Sequence, residues 1–479
     1  MRVELALSGG RVLDPETGLD DIRNVGIAGG RIVAVTSEPL AADATLDVTG
    51  LVVAPGFVDL HSHAQTVDGA RLQVLDGVTT ALELEAGTLP VSATYAAARD
   101  RPIHFGYSAS WGLARLSVMC GLDWAPTDDA TPIEFFEHAQ AHPRWGVPAS
   151  PRELAAILSL LEDALDEGAL GIGVLLGYAP ATDPAELAAV AELAARRGVP
   201  VFAHSRTMSM EEPGTSLDGA LELIDVAEST GAHVHVCHLN STSLRQIESI
   251  RDAVTAAQAR RVRLTTETYP YGAGSTGIGA DFFAPERFAR LGTPTTALTY
   301  LPTGERVASL DRLAELRAAD PGGLCIIEFL DPSDPDDLRL LLASVTLPGG
   351  VMASDAMPLT ATPAGAVAHP RSAGTFARTL RWLVRELGVF TLPEAVSRMS
   401  WEPARLLQDA VPAMRAKGRV QAGADADLVV LDPATVSDTA TFAALTPSTG
   451  FVHVLVAGVP VVADGTLLAA TPGLGILAG

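Results

Sequence analysis

Short β-runs alternate with amphipathic helical segments through most of this chain of 479 residues. From about Ala54 to Leu407, apolar runs such as GFVDLHSH, VPVFAHS and AHVHVCHL are separated by stretches such as DPAELAAVAELAARRG. Strands that are joined by helical crossovers run parallel to one another. About eight such strands over roughly 350 residues predict an α/β fold, a (β/α)₈ barrel of the TIM type.

The two ends of the chain have a different sequence pattern. Residues 1–53 and 412–479 contain short β-runs separated by Gly, Asp and Pro, such as NVGIAGGRIVAV and GADADLVVLDP. We therefore expect both termini to pair into one small β-domain, a β-sandwich, beside a barrel of residues 54–411. A long stretch near residues 281–322 exceeds an ordinary βα loop, which predicts a lid-like insertion.

Composition excludes several classes of partner. The chain has 33 basic and 57 acidic residues, and its net charge of −24 disfavours nucleic acid and anionic membranes. Its apolar runs fall far short of the roughly 20 residues that span a bilayer. Three cysteines build no disulfide framework, and Asp14 and Glu16 interrupt the region where a signal peptide is apolar, so we expect a cytoplasmic protein. Whether it forms a homo-oligomer is left open.

Histidines stand at the carboxyl ends of several predicted strands. His61 and His63 are two residues apart in GFVDLHSH, so strand alternation directs both imidazoles to one face. Further strand ends carry His204 in VPVFAHS, His238 in AHVHVCHL and Asp355 in VMASDA. Such ends meet at the mouth of a barrel, where active sites lie. Imidazole and carboxylate groups bind borderline divalent metals such as Zn²⁺, so this set predicts a metal site.

These motifs resemble those of the amidohydrolase superfamily, through HSH after the first strand, single histidines on later strands, and SDA. More narrowly, GVTT, GYAP, AHSR, YPYGAGST, ASDAMP, HPRSAGTFAR and GADADLVVLDP are similar, in this order, to motifs of the N-acyl-D-amino-acid deacylase (D-aminoacylase) branch. The resemblance covers essentially the whole chain. It implies a metal-dependent barrel flanked by a β-sandwich from both termini, with a small molecule as the substrate.

The second barrel strand departs from that branch. Relatives place a metal-binding cysteine in an NCG-like turn where this chain has LELEAG with Ala86, and others bridge two metals with a carboxylated lysine. The one lysine of this chain, Lys417, lies near the C-terminus. A carboxylate from the strand is the remaining candidate. We favour Glu85 over Glu83, because both have the same parity and Glu85 lies nearer the carboxyl end, although the choice stays open.

The resemblance also implies which residues bind metal. By analogy with the family, His204 and His238 would hold the tighter metal together with Glu85, while His61 and His63 would hold or complete a second site. One or two zinc ions, or another divalent transition metal, are therefore expected.

Substrate contacts follow from the same resemblance. Arg371 in HPR matches the arginine expected to bind a substrate carboxylate, and Tyr178, Tyr269 and Ser275 match pocket positions of the branch. Where relatives often have a lysine after the last histidine ligand, this chain has Asn240, which supplies no charge.

The sequence thus predicts hydrolysis of the amide C–N bond of an N-acyl (D-)amino acid or a similar small carboxylated amide. Asp355, also counted as a metal ligand, would take a proton from water and return it to the departing amine. Two alternatives stay open: a lactonase or cyclic amide or imide hydrolase on the same barrel, and a non-catalytic scaffold. His233 and His235 have no ligand-like context and are predicted to be structural.

Overall fold

The computed structural model describes residues 2–362 and 365–479. Its strands, β1 to β23, are Arg2–Asp14, Leu19–Ala28, Arg31–Thr36, Ala41–Asp47, Val52–Pro55, Phe57–Asp59, Val78–Thr88, His104–Ser110, Ile172–Leu175, Val201–His204, Val234–Val236, Leu264–Thr268, Ala273–Gly277, Leu298–Tyr300, Glu305–Arg306, Leu324–Glu328, Gly350–Met352, Thr360–Thr362, Gly365–Val367, Leu428–Leu431, Phe451–Val456, Val459–Ala463 and Thr466–Leu467.

The α-helices, α1 to α15, are Val67–Val74, Val91–Ala97, Trp111–Arg115, Pro132–Ala139, Pro151–Asp166, Pro184–Arg197, Ser216–Thr230, Leu239–Thr242, Ile247–Ala259, Pro285–Phe288, Leu310–Ala319, Pro335–Val345, Arg371–Arg378, Leu392–Met399 and Trp401–Leu407. None of these described helices combines the length and apolar character needed to cross a membrane.

Eight parallel strands form the barrel, in the order β6-β7-β8-β9-β10-β11-β12-β17. Its two edges meet through backbone hydrogen bonds from Asp355 N–H to His61 O (2.8 Å) and from His63 N–H to Ala356 O (2.8 Å). Side chains from well-separated strands share one buried cluster in the interior. The predicted α/β barrel is confirmed.

Both ends of the chain build a second sheet. Strands β1 to β5 and β20 to β23 form nine hydrogen-bonded strands, and the antiparallel pair of β5 with β20 joins the two ends, with Val53 opposite Val430. The prediction that the termini form one β-domain is confirmed. The domain boundaries after residues 53 and 411 remain predictions.

A small antiparallel sheet, β13-β16-β14-β15, is inserted between β12 and α12. The stretch predicted as a lid, residues 281–322, lies within this insertion and includes α10, β14, β15 and α11. Strand β13 brings Ser275 and Thr276 to the same cavity as the barrel histidines. The insertion therefore contributes to the wall of the barrel mouth, while its role as a lid stays a prediction.

Lys417 joins the second sheet to the barrel. The residue is buried, with only 3% of its surface exposed. Its Nζ donates to Asp427 Oδ2 (2.6 Å) and Asp425 Oδ2 (2.9 Å). Asp427 Oδ1 lies 3.2 Å from Nε2 of His104, which begins β8. Burial opposes the charge on Asp427, but Lys417 and His104 hold the pKa of its carboxyl far below the usual value. A buried charge pair of this kind costs much free energy when one partner is removed.

We expect Lys417→Met to lower the free energy of unfolding by about 3 to 5 kcal/mol, because Asp427 is left buried without its cation. Urea unfolding of the purified protein measures this change. The control is Arg71→Met, which breaks an ion pair with Asp68 whose side chains are 52% and 73% exposed, and which should cost less than about 1 kcal/mol. Equal losses in the two variants would contradict the stabilising role of Lys417.

Candidate metal centre and substrate cavity

Asp59, at the end of β6, fixes the two barrel edges that carry candidate ligands. Its Oδ1 accepts hydrogen bonds from the backbone N–H groups of His61 (3.2 Å) and Ser354 (2.9 Å). Its Oδ2 accepts from Gln73 Nε2 (3.0 Å) and from Ser354 Oγ. Burial raises the pKa of Asp59 to about 7. One carboxyl group thus sets the spacing between His61 and Asp355, the residue after Ser354.

The imidazoles of His61 and His63 converge at the barrel mouth, where their Nε2 atoms lie 3.0 Å apart. Glu85 Oε2 lies 3.3 Å from His61 Nε2 and 3.8 Å from His63 Nε2. Asp355 Oδ1 lies 3.6 Å and 3.5 Å from the same two nitrogens. The ligand atoms of His61, His63 and Asp355 all lie within 4.8 Å of one another, which is close enough to share one cation.

A second histidine group lies on the other side of Glu85. Glu85 Oε1 lies 2.8 Å from His238 Nε2, and the ring centroids of His238 and His204 are 4.9 Å apart. Each carboxylate oxygen of Glu85 therefore faces a different histidine group. The structure brings together all six side chains that the sequence predicts as ligands: His61, His63, Glu85, His204, His238 and Asp355.

Hydrogen bonds behind the rings decide which nitrogen faces the centre. Three imidazoles have an acceptor-only oxygen next to Nδ1, in the pairs His61 with Glu267 Oε1, His63 with Glu83 Oε2 (2.6 Å) and His204 with Ser205 O (2.8 Å). Because these oxygens can only accept, Nδ1 carries the hydrogen in each neutral ring. The lone pair is then on Nε2 and points to the centre.

This arrangement fits a divalent metal. In neutral rings of His61 and His63 the two Nε2 lone pairs would face each other at 3.0 Å, so either a proton or a metal ion must lie between them. Imidazole nitrogens and carboxylate oxygens, with no thiolate at Ala86, form a donor set suited to zinc and related ions. The residues present can therefore hold the metal that the family resemblance implies.

The charge states of two candidate ligands, His204 and Glu85, agree with metal binding. Burial opposes the charge on His61 and His63, but the surrounding carboxylates raise the pKa of both rings in the absence of a metal. Burial and the neighbouring His238 lower the pKa of His204 to about 4, so its ring is neutral at pH 7. Burial opposes ionisation of Glu85, but the facing His238 and His61 hold the pKa of its carboxyl well below the usual value. Neutral imidazole and ionised carboxylate are the forms that coordinate metals.

An irregularity in β7 separates the roles of Glu83 and Glu85. The register between β7 and β8 shifts between Glu83 and Thr88, so β7 bulges there. The bulge passes over Gly173, where a Cβ atom would lie 2.1 Å from Glu85 O. Glu83 supports His63 from behind, whereas Glu85 extends to the centre between the histidine groups. This placement favours Glu85, as the sequence does, and the ligand assignment stays a proposal.

Asp355 and Arg371 form a buried ion pair beside the histidines. Arg371 Nη2 lies 2.8 Å from Asp355 Oδ1 and donates to Ser275 O (3.1 Å). The guanidinium carbon lies 4.7 Å from the ring centroid of Tyr269. Arg371, which was predicted to bind a substrate carboxylate, thus also orients the predicted proton acceptor.

The cavity next to this pair is lined by every predicted substrate-contact residue, namely Arg371, Tyr178, Tyr269 and Ser275. Three buried polar atoms there, Arg371 Nε, Tyr269 Oη and Ser275 Oγ, have no hydrogen-bond partner within the described structure. Buried polar atoms without partners are uncommon, and at a cavity wall they are available to a ligand. Tyr178 differs, because its Oη lies 2.8 Å from Thr276 Oγ1.

Part of the cavity wall is apolar. It consists of Ile133, Met208, Leu244, Phe282, Phe283, Leu291, Ile327, Phe329 and Met357. A cavity with apolar side chains and a few convergent polar groups is typical of small-molecule sites.

Two of the candidate ligands have strained backbone conformations. His238 and Asp355 have φ angles of 30° and 51°, in the left-handed region that residues with a side chain rarely adopt. Hydrogen bonds hold both in place, from His238 N–H to Glu267 Oε1 (3.3 Å) and from Asp355 N–H to His61 O (2.8 Å). Strain of this kind is found where surrounding structure fixes a functional geometry.

Glu267 is the supporting residue that the sequence analysis missed. Its Oε1 contacts His61 Nδ1, and its Oε2 lies 3.1 Å from His235 Nε2. His235, predicted to be structural, is bonded on its other side to Thr265 Oγ1 (2.9 Å). The signal in the sequence is an acidic residue at a strand end, LTTET, flanked by threonines in an otherwise buried run.

Comparisons with known proteins agree with this geometry. The sequence profile of the amidohydrolase family matches residues 44–322. D-aminoacylase of Alcaligenes xylosoxydans xylosoxydans is 30% identical over 96% of this chain and 94% of that protein. A D-aminoacylase structure with a binuclear metal centre has a TM-score of 0.73 and 25% identity, with both chains covered completely. N-acyl-D-glutamate deacylase of Bordetella bronchiseptica, complexed with zinc and a phosphonate that mimics the tetrahedral intermediate, has a TM-score of 0.72 and 23% identity, again with complete coverage.

We expect Glu85→Ala to reduce bound metal more than Glu83→Ala, because Glu85 faces both histidine groups while Glu83 contacts His63 from behind. Elemental analysis of the two purified variants after equal dialysis measures the retained metal. If both variants retained the same amount of metal, this strand would be left without a ligand. If Glu83→Ala lost more metal than Glu85→Ala, the two residues would exchange their roles.

We expect Glu267→Ala to weaken metal binding about 10- to 100-fold, since His61 loses the acceptor that fixes its tautomer. Glu267→Gln should lose less metal affinity, because its amide oxygen can still accept a hydrogen bond from one of the two rings. Competition with a chromophoric chelator measures the affinity. Glu228→Gln, on an exposed ion pair with Arg260, is the control, and unchanged affinity in Glu267→Ala would refute the positioning role.

Proposed function

Because the chain belongs to the amidohydrolase family and is a metal-dependent hydrolase, we propose that it removes the acyl group from N-acyl amino acids, with the D series as the first candidates. The observation that carries this proposal is the cluster of imidazole and carboxylate ligands next to Arg371, in one cavity with unpartnered polar atoms. The preference for the D series comes from the relatives. The sequence prediction of an enzyme is confirmed, and a non-catalytic scaffold is set aside.

The proposed metal ligands form two groups that share Glu85. One group is His61, His63 and Asp355, and the other is His204 and His238. A bound divalent ion, with zinc as the first candidate, would polarise the scissile carbonyl and lower the pKa of water.

Arg371 is proposed to bind the substrate carboxylate. Its unpartnered Nε and the hydroxyls of Tyr269 and Ser275 offer hydrogen bonds to the two carboxylate oxygens. The cation–π contact with Tyr269 and the bond to Ser275 O hold the guanidinium plane in place. The carboxylate would fix the amide bond next to Asp355.

Asp355 is proposed to move the proton. Its Oδ1 lies beside both His61 and His63 and is oriented by Arg371 at 2.8 Å. From this position the carboxylate can accept a proton from the attacking water and return it to the nitrogen of the leaving amine. The apolar wall then accommodates the acyl group or an apolar side chain and keeps bulk water away from the reacting bond.

A second candidate function is hydrolysis of a neutral lactone or cyclic amide. The observation that favours it is the ion pair of Arg371 with Asp355, which leaves no unpaired Arg or Lys among the described residues that line the cavity. Asn240 stands in place of the family lysine. It uses Oδ1 to accept from Tyr269 N–H (3.3 Å) and Nδ2 to donate to Tyr271 O (3.2 Å).

The decisive experiment is a screen of N-acetyl-D-amino acids, N-acetyl-L-amino acids and neutral lactones with metal-loaded protein. We expect turnover of the N-acetyl-D series, and Asp355→Asn should retain metal yet lose about 10²- to 10⁴-fold in rate. Asp68→Asn, at an exposed position of α1, is the control. An unchanged rate in Asp355→Asn would place the proton acceptor elsewhere, and turnover confined to lactones would replace the proposed function by the second candidate.

A further inference from the structure

Glu137 is a buried carboxyl group that the proposed reaction does not use. It lies on α4, is 1% exposed, and lines the same cavity as Arg371 and Tyr178. It also lines an outer cavity that shares Ile133 and Met357 with the inner one. Glu137 therefore stands where the two cavities adjoin.

Only neutral donors contact Glu137. Its Oε1 accepts from Thr276 Oγ1 (2.8 Å) and Gly277 N–H (2.9 Å), and its Oε2 accepts from Gln140 Nε2. A carboxylate has about four acceptor positions, so one remains for a further donor. The hydrogen bonds hold the group rigidly and leave part of its hydrogen-bonding capacity unused.

Glu137 differs from the other acidic residues of the cavity in having no basic side chain next to it. Glu85 lies 2.8 Å from His238, and Asp355 lies 2.8 Å from Arg371. Along residues 2–362 and 365–479, no ion pair includes Glu137. Burial raises the pKa of its carboxyl, and the neutral donors do not offset this effect. Because buried carboxylates in proteins are generally paired, the missing cation is expected to come from a ligand.

Strand β13 connects this carboxylate with the proposed carboxylate-binding arginine. Arg371 contacts Ser275 O, while Glu137 contacts Thr276 and Gly277, the next two residues of the strand. A positive and a negative group thus contact adjacent residues of one strand, and both line the same cavity.

The outer cavity has the same sign of charge as Glu137. Its described lining residues include Glu134 and Asp320, together with His138, and no Arg or Lys. The chain as a whole carries a net charge of −24. Both features favour the approach of a cationic group over that of a second anionic one.

We propose that the preferred substrate carries a cationic group in addition to its carboxylate, and that Glu137 binds this cation while Arg371 binds the carboxylate. The inference rests on the proposed deacylase function and adds a substrate class to it. The cation could belong to a basic side chain, as in an N-acylated arginine or lysine, or to the ammonium group of an aminoacyl group, as in a dipeptide. Both sources share the chemistry of an N–H⁺ donor placed next to Glu137.

Two matched pairs of substrates distinguish these sources. N-acetyl-D-arginine is compared with N-acetyl-D-citrulline, in which the side chain has nearly the same shape and no charge. Glycyl-D-alanine is compared with N-acetyl-D-alanine, which lacks the ammonium group. In at least one pair, kcat/KM for the charged member should exceed that for the neutral member by about tenfold or more, because a charge-assisted hydrogen bond is worth about that factor. The pair that shows the difference identifies the source of the cation.

Glu137→Gln should reduce that ratio at least about tenfold. Its amide oxygen can still accept from Thr276 and Gly277, so the variant should fold, which a thermal unfolding curve checks. The matched control is Glu134→Gln, which removes a carboxylate one turn earlier on α4 and keeps a capping side chain for Thr131. The control should reduce the ratio much less than Glu137→Gln does, which separates a direct contact at Glu137 from the general field of the acidic outer cavity.

Equal rates within both pairs, or a preference that Glu137→Gln does not change, would overturn the inference while leaving the deacylase function intact. If no amide is hydrolysed, the deacylase function fails, and calorimetric binding of N-acetyl-D-arginine against N-acetyl-D-citrulline to the metal-loaded protein still decides about Glu137. Equal affinities in that measurement would also overturn the inference.

Discussion

The imidazoles at the barrel mouth are held from behind by oxygen acceptors, and the rest of the site depends on this constraint. Glu267, Glu83 and Ser205 O each take the Nδ1 hydrogen of a different ring, so the Nε2 lone pairs face inward. Lone pairs 3.0 Å apart repel unless a cation lies between them. Glu267 and Glu83 therefore prepare the imidazoles for metal binding, although neither carboxylate faces the centre itself. A buried acid costs free energy in isolation, but here it is needed to orient a histidine.

In the proposed metal centre, Glu85 takes the place of two ligands that this chain lacks, a cysteine at the position of Ala86 and a carboxylated lysine in mid-barrel. A glutamate suits the position because its two oxygens can face the two histidine groups separately, at 2.8 Å from His238 and 3.3 Å from His61. The bulge of β7 over Gly173 brings the Glu85 side chain to this position. Asp355 then connects this centre to the substrate cavity through its ion pair with Arg371.

In the proposed function, the barrel strands carry the metal ligands, whereas the insertion positions several of the residues that would contact the substrate. Strand β13 contacts Arg371 through Ser275 O, Tyr178 through Thr276, and Glu137 through Thr276 and Gly277. Substrate preference can therefore change through the insertion and α4 while the ligands at the barrel strand ends stay fixed. No described residue of the second sheet lines the cavity, and we expect its link to the barrel through Lys417 and Asp427 to stabilise the fold.

The alternation of β-runs and helical segments determined the barrel, because parallel strands with helical crossovers have few ways to bury their apolar faces. The same pattern placed His61, His63, His204, His238 and Asp355 at one mouth, since the carboxyl ends of parallel strands share one edge. Only the tertiary structure showed how the contacts of Glu83 and Glu85 differ, because parity along a strand stops being informative at a bulge. It also decided the contacts of Glu267 and Glu137, whose partners are distant in sequence. Sequence spacing fixes which end of a strand a residue occupies, but only packing fixes which atoms its side chain meets.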